Sequence, residues 1–163
     1  MKIESYENFK LGNTIGFKKV YSNQLLAKKE VVKYFKKLKK NNYAFETKVL
    51  TIPIEKEESG LLIETFIPVK GLIDLGEDFC IFSENKIFSK RGLKVSFLNN
   101  PDNFIQAFSI IKKICYSNGI NVKEKRMMEL ATLDKHYNAM SFSILLDLEE
   151  KEYADAKSRN FIY

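Results

Sequence analysis

Two acidic residues lie inside predicted β-strands, where a charged side chain is costly unless it is paired or faces a cleft. Glu129 lies between Met127 and Ala131 in an alternating segment, and Glu64 lies in a second such segment. Facing a central cleft, either carboxylate would hold a cationic ligand or a positively charged group of a protein partner. The alternative for both is a solvent-exposed strand position, and Glu129 has the further alternative of an ion pair with Arg126 or a lysine.

The remaining polar residues do not indicate a catalytic site. His136, the single histidine, lies in a predicted turn two residues after Asp134, and no positioned nucleophile stands beside them. No Gly-x-Ser-x-Gly, His-Glu-x-x-His or phosphate-loop motif occurs. Cys80 and Cys115 lack metal-ligand spacing and are expected to be free thiols. We therefore expect a protein that is not an enzyme and that binds no cofactor or metal.

A run of lysines carries most of the charge. The chain of 163 residues has a formal net charge of +6, and the segment 28–40 alone holds seven lysines against Glu30, which also leaves +6. Three interpretations of this run stay open: a solvated helix face, a surface that attracts an acidic protein partner, and a phosphate-binding surface for nucleic acid. The lack of arginine in the run disfavours nucleic acid. The residues expected to form the basic face are Lys29, Lys33, Lys36, Lys37 and Lys40.

The elements that must position these residues occur twice in the order strand, helix, strand, strand. Apolar residues alternate in the strands and recur at helical spacing in the helices, as Val31, Phe35 and Leu38 do in the first helix. The first unit has predicted strands over 15–20, 50–54 and 61–69 and a helix over 24–41 capped by Ser22. The second unit has predicted strands over 93–97, 127–132 and 139–148 and a helix that follows Asn100 and Pro101 and ends at Asn118 and Gly119.

The two units match at a nearly constant offset of 77 residues, which aligns Asn41 with Asn118 and Glu129 with Ile52; the initial strands match better at 78. This pattern predicts an α+β fold in which two strand–helix–strand–strand repeats form one domain, with an antiparallel sheet and two main helices. A strand pair over 79–82 and 86–88 is expected between the repeats. The tail is expected to form a short helix, and its last residues, Phe161, Ile162 and Tyr163, are expected to dock on the domain. The expected boundaries are 1–150 for the domain, 12–70 for repeat one, 71–91 for the connecting segment, 92–150 for repeat two and 151–163 for the tail.

The tandem arrangement resembles the GyrI-like fold, in which two such units surround a central cleft. Residues 64–69 resemble the closing strand of that family, 92–119 resemble the strand, helix and Asn-Gly stop of its second unit, and 126–129 resemble the strand with its ligand-binding glutamate. The family serves as the drug-binding domain of some multidrug transcription regulators and in gyrase-inhibitory proteins. The resemblance implies a cleft for a cationic, aromatic ligand or a partner segment. The residues expected to line this cleft are Glu129, Glu64, Phe66, Met127 and Phe142.

A narrower resemblance rests on chain length, the strand end at 67–69, the aromatic middle segment and the run 137–144. These features resemble a family encoded in type VII secretion loci of low-G+C Gram-positive bacteria, which includes a cytoplasmic chaperone that binds a secreted toxin. The resemblance implies a chaperone or adaptor for a type VII secretion substrate, with a secreted toxin or a small helical secretion protein as partner. The alternative is a small-molecule sensor. Because the sequence has neither a signal segment nor about 18 consecutive apolar residues, we expect a cytoplasmic protein without a membrane partner.

Overall fold

The computed structural model describes residues 1–76, 80–98 and 104–158, with the backbone alone described at Gln24, Leu98, 104–106 and Glu124. These residues form an α+β fold, as predicted, with eight antiparallel strands in one open sheet and three helices. Some expectations lie outside the described residues, namely those for Phe79, for the helix start at Asn100 and Pro101, and for the docking of Phe161, Ile162 and Tyr163.

Strands and helices alternate along the chain in an order close to the predicted one. The strands are β1 Lys2–Lys10, β2 Thr14–Tyr21, β3 Lys48–Glu57, β4 Gly60–Pro68, β5 Cys80–Ser83, β6 Ile87–Leu98, β7 Met127–Leu133 and β8 Ala139–Asp147. The helices are α1 Gln24–Lys40, α2 Phe104–Ser117 and α3 Glu150–Ser158, and a single 3-10 turn spans Val122–Glu124.

The helix ends have identifiable local causes. The side chain of Asn23, rather than that of the predicted Ser22, accepts the backbone N–H of Leu26 at 3.0 Å and so caps α1. Beyond α1, Asn42 adopts a left-handed φ of 58°. Gly119 ends α2 with a φ of 71°, the conformation for which the Asn-Gly pair was predictive.

Two strand features differ from expectation, and one expected helix is present. The predicted pair over 79–82 and 86–88 is not a hairpin, because β5 pairs with β2 and β6 pairs with β1 and β8. The strand β1 was not predicted, since its apolar residues recur every third position around a left-handed residue, Asn8, instead of alternating. The short helix expected in the tail is present as α3, so that three helices accompany the sheet rather than two main ones, and Tyr153 and Ala156 of α3 are buried.

The strand order across the sheet is β1-β6-β8-β7-β3-β4-β2-β5, so that β7 and β3 form the central pair. Residues 11–13 join β1 to β2, and residues 84–86 join β5 to β6, although both pairs of strands lie six positions apart. Six strand spacings measure about 29 Å in a flat sheet, whereas such a connection reaches at most about 14 Å. The sheet therefore curls until its edges approach, and the ring centroids of Phe66 on β4 and Phe88 on β6 lie 4.7 Å apart.

Three apolar clusters fill the fold. One packs α2 and α3 onto β6 and β8, and a second packs α1 onto β2, β3 and β4; Ala131 of β7 contacts both, so the helices share one face of the sheet. We call this side the helix face and the opposite, concave side the inner face. The third cluster fills the inner face and consists of Leu50, Ile52, Phe66, Phe88, Met128, Leu130 and Leu145.

Candidate binding surface

Glu129 lies on the helix face, on one of the two central strands. Its neighbours Met128 and Leu130 belong to the inner-face cluster, whereas Met127 contacts the cluster under α2. Because successive side chains of a strand point to opposite faces, Glu129 shares the helix face with Met127. The prediction that Glu129 shares the face of Ile52 is therefore wrong, since Ile52 packs in the inner-face cluster. An alignment that is off by one residue moves a strand residue to the other face.

The carboxylate of Glu129 is half-buried and has no hydrogen bond or ion pair with a described residue. Its strand partners are Thr51 of β3 and Ile144 of β8. Burial raises the pKa of the Glu129 carboxyl, and the Lys28 ammonium on α1 opposes this rise. A carboxylate in such surroundings is suited to accept a further cationic group.

Arg126 is committed elsewhere and does not pair with Glu129. Its Nη1 donates to the carbonyl oxygen of Phe88 at 2.8 Å and lies 3.4 Å from Oδ2 of Asp147. Of the cationic partners considered for Glu129, Lys28 on α1 is therefore the one that acts on its carboxylate, and it does so electrostatically.

Glu64 and Phe66 lie on the inner face. Glu64 lies opposite Lys18 of β2 in the strand register, and Phe66 is buried against Phe88. The Nζ atom of Lys86 lies 4.8 Å from the ring centroid of Phe66 and 5.7 Å from that of Phe88. Lys86 thus covers both rings, and the chain fills this part of the inner face with its own side chains.

The structure does not bring the five residues expected in one cleft together. Phe142 is buried under α2, where its ring stacks on Phe97 with centroids 5.1 Å apart. Met127, Phe142 and Glu129 lie on the helix face, whereas Glu64 and Phe66 lie on the inner face, with the sheet between the two groups. Alternation assigns residues of one strand to two faces, but it does not say which faces of different strands coincide.

A concave surface runs along the outer side of α1. Lys28, Val32 and Lys36 follow one another at four-residue spacing, and Lys29 and Lys33 form the neighbouring row. These five residues line a shallow, largely solvent-open depression with a volume of about 510 Å³, which we call the lysine groove. Val32 is half-buried, and together with the lysine stems it gives the groove an apolar floor beneath charged rims.

The lysine groove includes three of the five residues predicted for the basic face. Lys37 is half-buried and acts electrostatically on Cys80 of β5, and Lys40 lies in the last turn of α1, outside the groove. Sequence reasoning missed Lys28 and Val32 as lining residues. Their signal was the four-residue spacing that links them to Lys36.

The acid on α1 leaves the groove positive. Glu30 lies 3.7 Å from both Lys19 and Lys33, and its side chain is only 16 % exposed. It therefore balances charge at one rim and hardly reaches solvent. The groove lysines that have no ion pair with a described residue are Lys28, Lys29 and Lys36.

His136 lies in the turn between β7 and β8. The Asp134 carboxylate accepts the backbone N–H groups of Asn138 at 3.0 Å and of His136 at 2.8 Å. These bonds, that of Asn138 first, lower the pKa of Asp134. They also hold the turn between β7 and β8, in which Tyr137 has a left-handed φ of 64° and stacks on Phe35.

Both cysteines are free thiols, as expected. Burial raises the pKa of Cys80, and it raises the pKa of Cys115 to about 11. A nucleophilic cysteine needs a lowered pKa, so neither thiol has the environment of a catalytic group.

Among the residues that the structure describes, no three metal-ligating side chains cluster, and no helix has the length and apolar character required to cross a membrane. No protein-family model matches the chain, and no curated protein matches it in sequence. The family resemblance therefore rests on the residues quoted for it.

Proposed function

We propose that this protein is a non-enzymatic binding protein that acts as a chaperone or adaptor for a protein partner. The observation that carries the proposal is the lysine groove, in which Lys28, Lys29 and Lys36 surround a concavity of about 510 Å³ without ion pairs to described residues. Clustered cations speed association with an acidic surface and orient it. A half-buried Val32 between these lysines adds an apolar contact to the charged surface.

The resemblance to proteins of type VII secretion loci narrows this proposal. In that setting, the partner is a secreted toxin or a small helical secretion protein, which the chain holds before export. The support is the sequence pattern at 67–69 and 137–144 together with a basic surface for a protein partner.

We also propose that the chain is a tandem repeat of the GyrI-like type. The supporting observation is the strand order: read from the outside inwards, β6-β8-β7 corresponds to β2-β4-β3, and each first strand is followed by a helix. An offset of 78 residues, rather than 77, matches Val49 with Met127 and Thr51 with Glu129. Under this offset, the matched residues share the helix face.

Co-expression with each secreted protein encoded beside its gene tests the adaptor proposal. We expect one such protein to elute with the chain as a complex in size-exclusion chromatography and to remain soluble only when the chain is present. A matched control is the same substrate co-expressed with an unrelated basic protein of similar size. If none of the neighbouring secreted proteins forms a complex, the adaptor proposal fails.

A second candidate is a sensor for a small cationic ligand, and the half-buried carboxyl of Glu129 favours it. A thermal-shift screen with lipophilic cations tests this function. One compound should raise the melting temperature of the wild type and of Glu64→Gln but not of Glu129→Gln, because Glu64 lies on the opposite face of the sheet. Equal shifts in all three proteins would exclude Glu129 as the ligand site.

A further inference from the structure

We infer that the segment that occupies the lysine groove is an acidic amphipathic α-helix; this inference rests on the proposed binding function and specifies the partner. Three observations carry it: the charge of the groove, the state of the backbone around it, and the types of side chain that line it.

The charge of the groove selects an acidic partner. Four of its five lining residues are lysines. Of the two acids that act on them, Glu30 is held between Lys19 and Lys33, and Glu129, on which Lys28 acts, is half-buried beneath the helices. A basic or neutral segment would cover these ammonium groups without adding counter-charge, whereas carboxylates supply it.

The backbone around the groove selects a helix. All five lining residues belong to α1, whose interior N–H and C=O groups are already paired within the helix. An extended segment laid along α1 would find no backbone groups with which to pair, in contrast to a segment added to a sheet edge. A helix pairs its own backbone N–H and C=O groups, so none of them is left without a hydrogen bond when it lies along α1.

The side chains of the groove favour protein over nucleic acid. The aromatic residues of α1, Tyr34 and Phe35, are buried towards the sheet and cannot stack on bases. The groove also lacks arginine, whose planar fork reads phosphates and guanine edges.

The spacing of the groove defines the pattern of the partner helix. Lys28 and Lys36 lie eight residues apart on α1, which is about 12 Å along the helix axis. Carboxylates about two turns apart on the partner would meet these ammonium groups, with an apolar residue midway between them over Val32. Leu25 and Leu26, 61 % and 44 % exposed at the start of α1, extend the apolar contact.

The probe is a fluorescent synthetic helix of about four turns with glutamates eight residues apart on one side and a leucine midway between them, titrated by fluorescence anisotropy. Its controls are a peptide with a central proline, a peptide with lysine in place of each glutamate, and a DNA oligonucleotide. We expect the acidic helix to bind at least tenfold more tightly than each control. We also expect its affinity to fall at least tenfold between low and moderate salt. Tighter binding of DNA, or equal binding of the proline peptide, would overturn the inference.

The variant Lys28→Gln/Lys29→Gln/Lys36→Gln tests the location. Its matched control is Lys10→Gln/Lys90→Gln/Lys123→Gln, which removes the same charge from exposed positions outside α1. We expect the groove variant to weaken binding of the acidic helix at least tenfold and the control to weaken it less than threefold. Equal weakening in both variants would mean that net charge alone attracts the peptide, and the inference would fail.

The same variants separate this inference from the proposed function. If a neighbouring secreted protein binds the groove variant as tightly as the wild type, the adaptor function stands and the inference about the lysine groove falls. If no such protein binds the wild type while the acidic helix does, the groove is confirmed and the proposed partner falls.

Discussion

Glu129 of β7 lies directly opposite Thr51 of β3 in the central strand pair, on the face that α1 and α2 cover. The carboxyl is half-buried there. Burial raises its pKa, and the positive charge of Lys28 lowers it by a smaller amount. Its titration and its effect on stability follow from that position.

Substitution of Glu129 should change how stability depends on pH. Because the folded-state pKa lies above the ordinary value of 4.5, folding favours the protonated carboxyl. The contribution of Glu129 is therefore neutral well below pH 4.5 and becomes a loss of stability as the pH rises through the folded-state pKa. Glu129→Gln should remove this loss and raise the free energy of unfolding at pH 7 by on the order of 1 kcal/mol.

Urea denaturation between pH 4 and pH 8 measures this effect. The control is Glu58→Gln, an exposed residue in the turn between β3 and β4, which should leave the pH dependence unchanged. A gap between Glu129→Gln and the wild type that narrows with rising pH would contradict the prediction.

Gly92→Ala should strongly destabilise the fold. A Cβ atom at Gly92 would collide with the carbonyl oxygen of Leu146 and with the ring and hydroxyl of Tyr6, which crosses over this glycine. We expect the free energy of unfolding, measured by chemical denaturation, to fall by about 3 kcal/mol. Gly71→Ala is the comparison, because Gly71 has open space around it and only its left-handed φ of 83° opposes a side chain; its cost should stay near 1 kcal/mol. Equal losses at both sites would refute the packing argument.

The hydrogen bond between Tyr6 Oη and Ser89 Oγ, 2.8 Å long, should stabilise the edge strand β1 on β6. Tyr6→Phe should lower the free energy of unfolding by about 1 kcal/mol. A double-mutant cycle with Ser89→Ala isolates the pair, and we expect a coupling energy above about 0.5 kcal/mol. Strict additivity of the two substitutions would mean that this bond does not hold β1.

The ion pair between Lys125 and Glu152 should anchor α3. The side chain of Lys125 is only 10 % exposed, so Glu152→Gln removes the carboxylate that faces a nearly buried ammonium group. We expect this substitution to lower the free energy of unfolding by about 2 kcal/mol. Glu150→Gln, at an exposed position of the same helix, should cost less than about 0.5 kcal/mol. Thermal unfolding followed by circular dichroism distinguishes the two, and similar melting temperatures would count against the anchor.

Cys115 should react slowly with thiol reagents. With a pKa of about 11, about one Cys115 in a thousand is a thiolate at pH 8, and the side chain is also buried. In the variants Cys80→Ser and Cys115→Ser, labelling with a chromogenic disulfide should be at least tenfold slower when Cys115 is the remaining thiol. Denaturant should abolish the difference, and its persistence in unfolded protein would argue against burial as the cause.

Periodicity alone was sufficient for much of the fold. The helical spacing of Val31, Phe35 and Leu38 predicted the buried stripe of α1, and all three are buried. Alternation likewise predicted the segments of β2, β3, β4, β7 and β8, as well as the antiparallel α+β class. These features are local, because each depends on residues a few positions apart in one element.

The positions of the site residues depended on tertiary structure. Alternation put Glu129 and Glu64 on strand faces, but only the pairing of β7 with β3 put Glu129 beneath the helices and Glu64 on the inner face. The crossing of β1 and β5 to distant edges was also beyond a local pattern, because strand partners are chosen by side chains far apart in the chain. The sequence by itself determined most of the elements, with β1 as an exception, and the charge of α1. Which faces meet, and which lysines of α1 line a groove, was decided by how those elements pack.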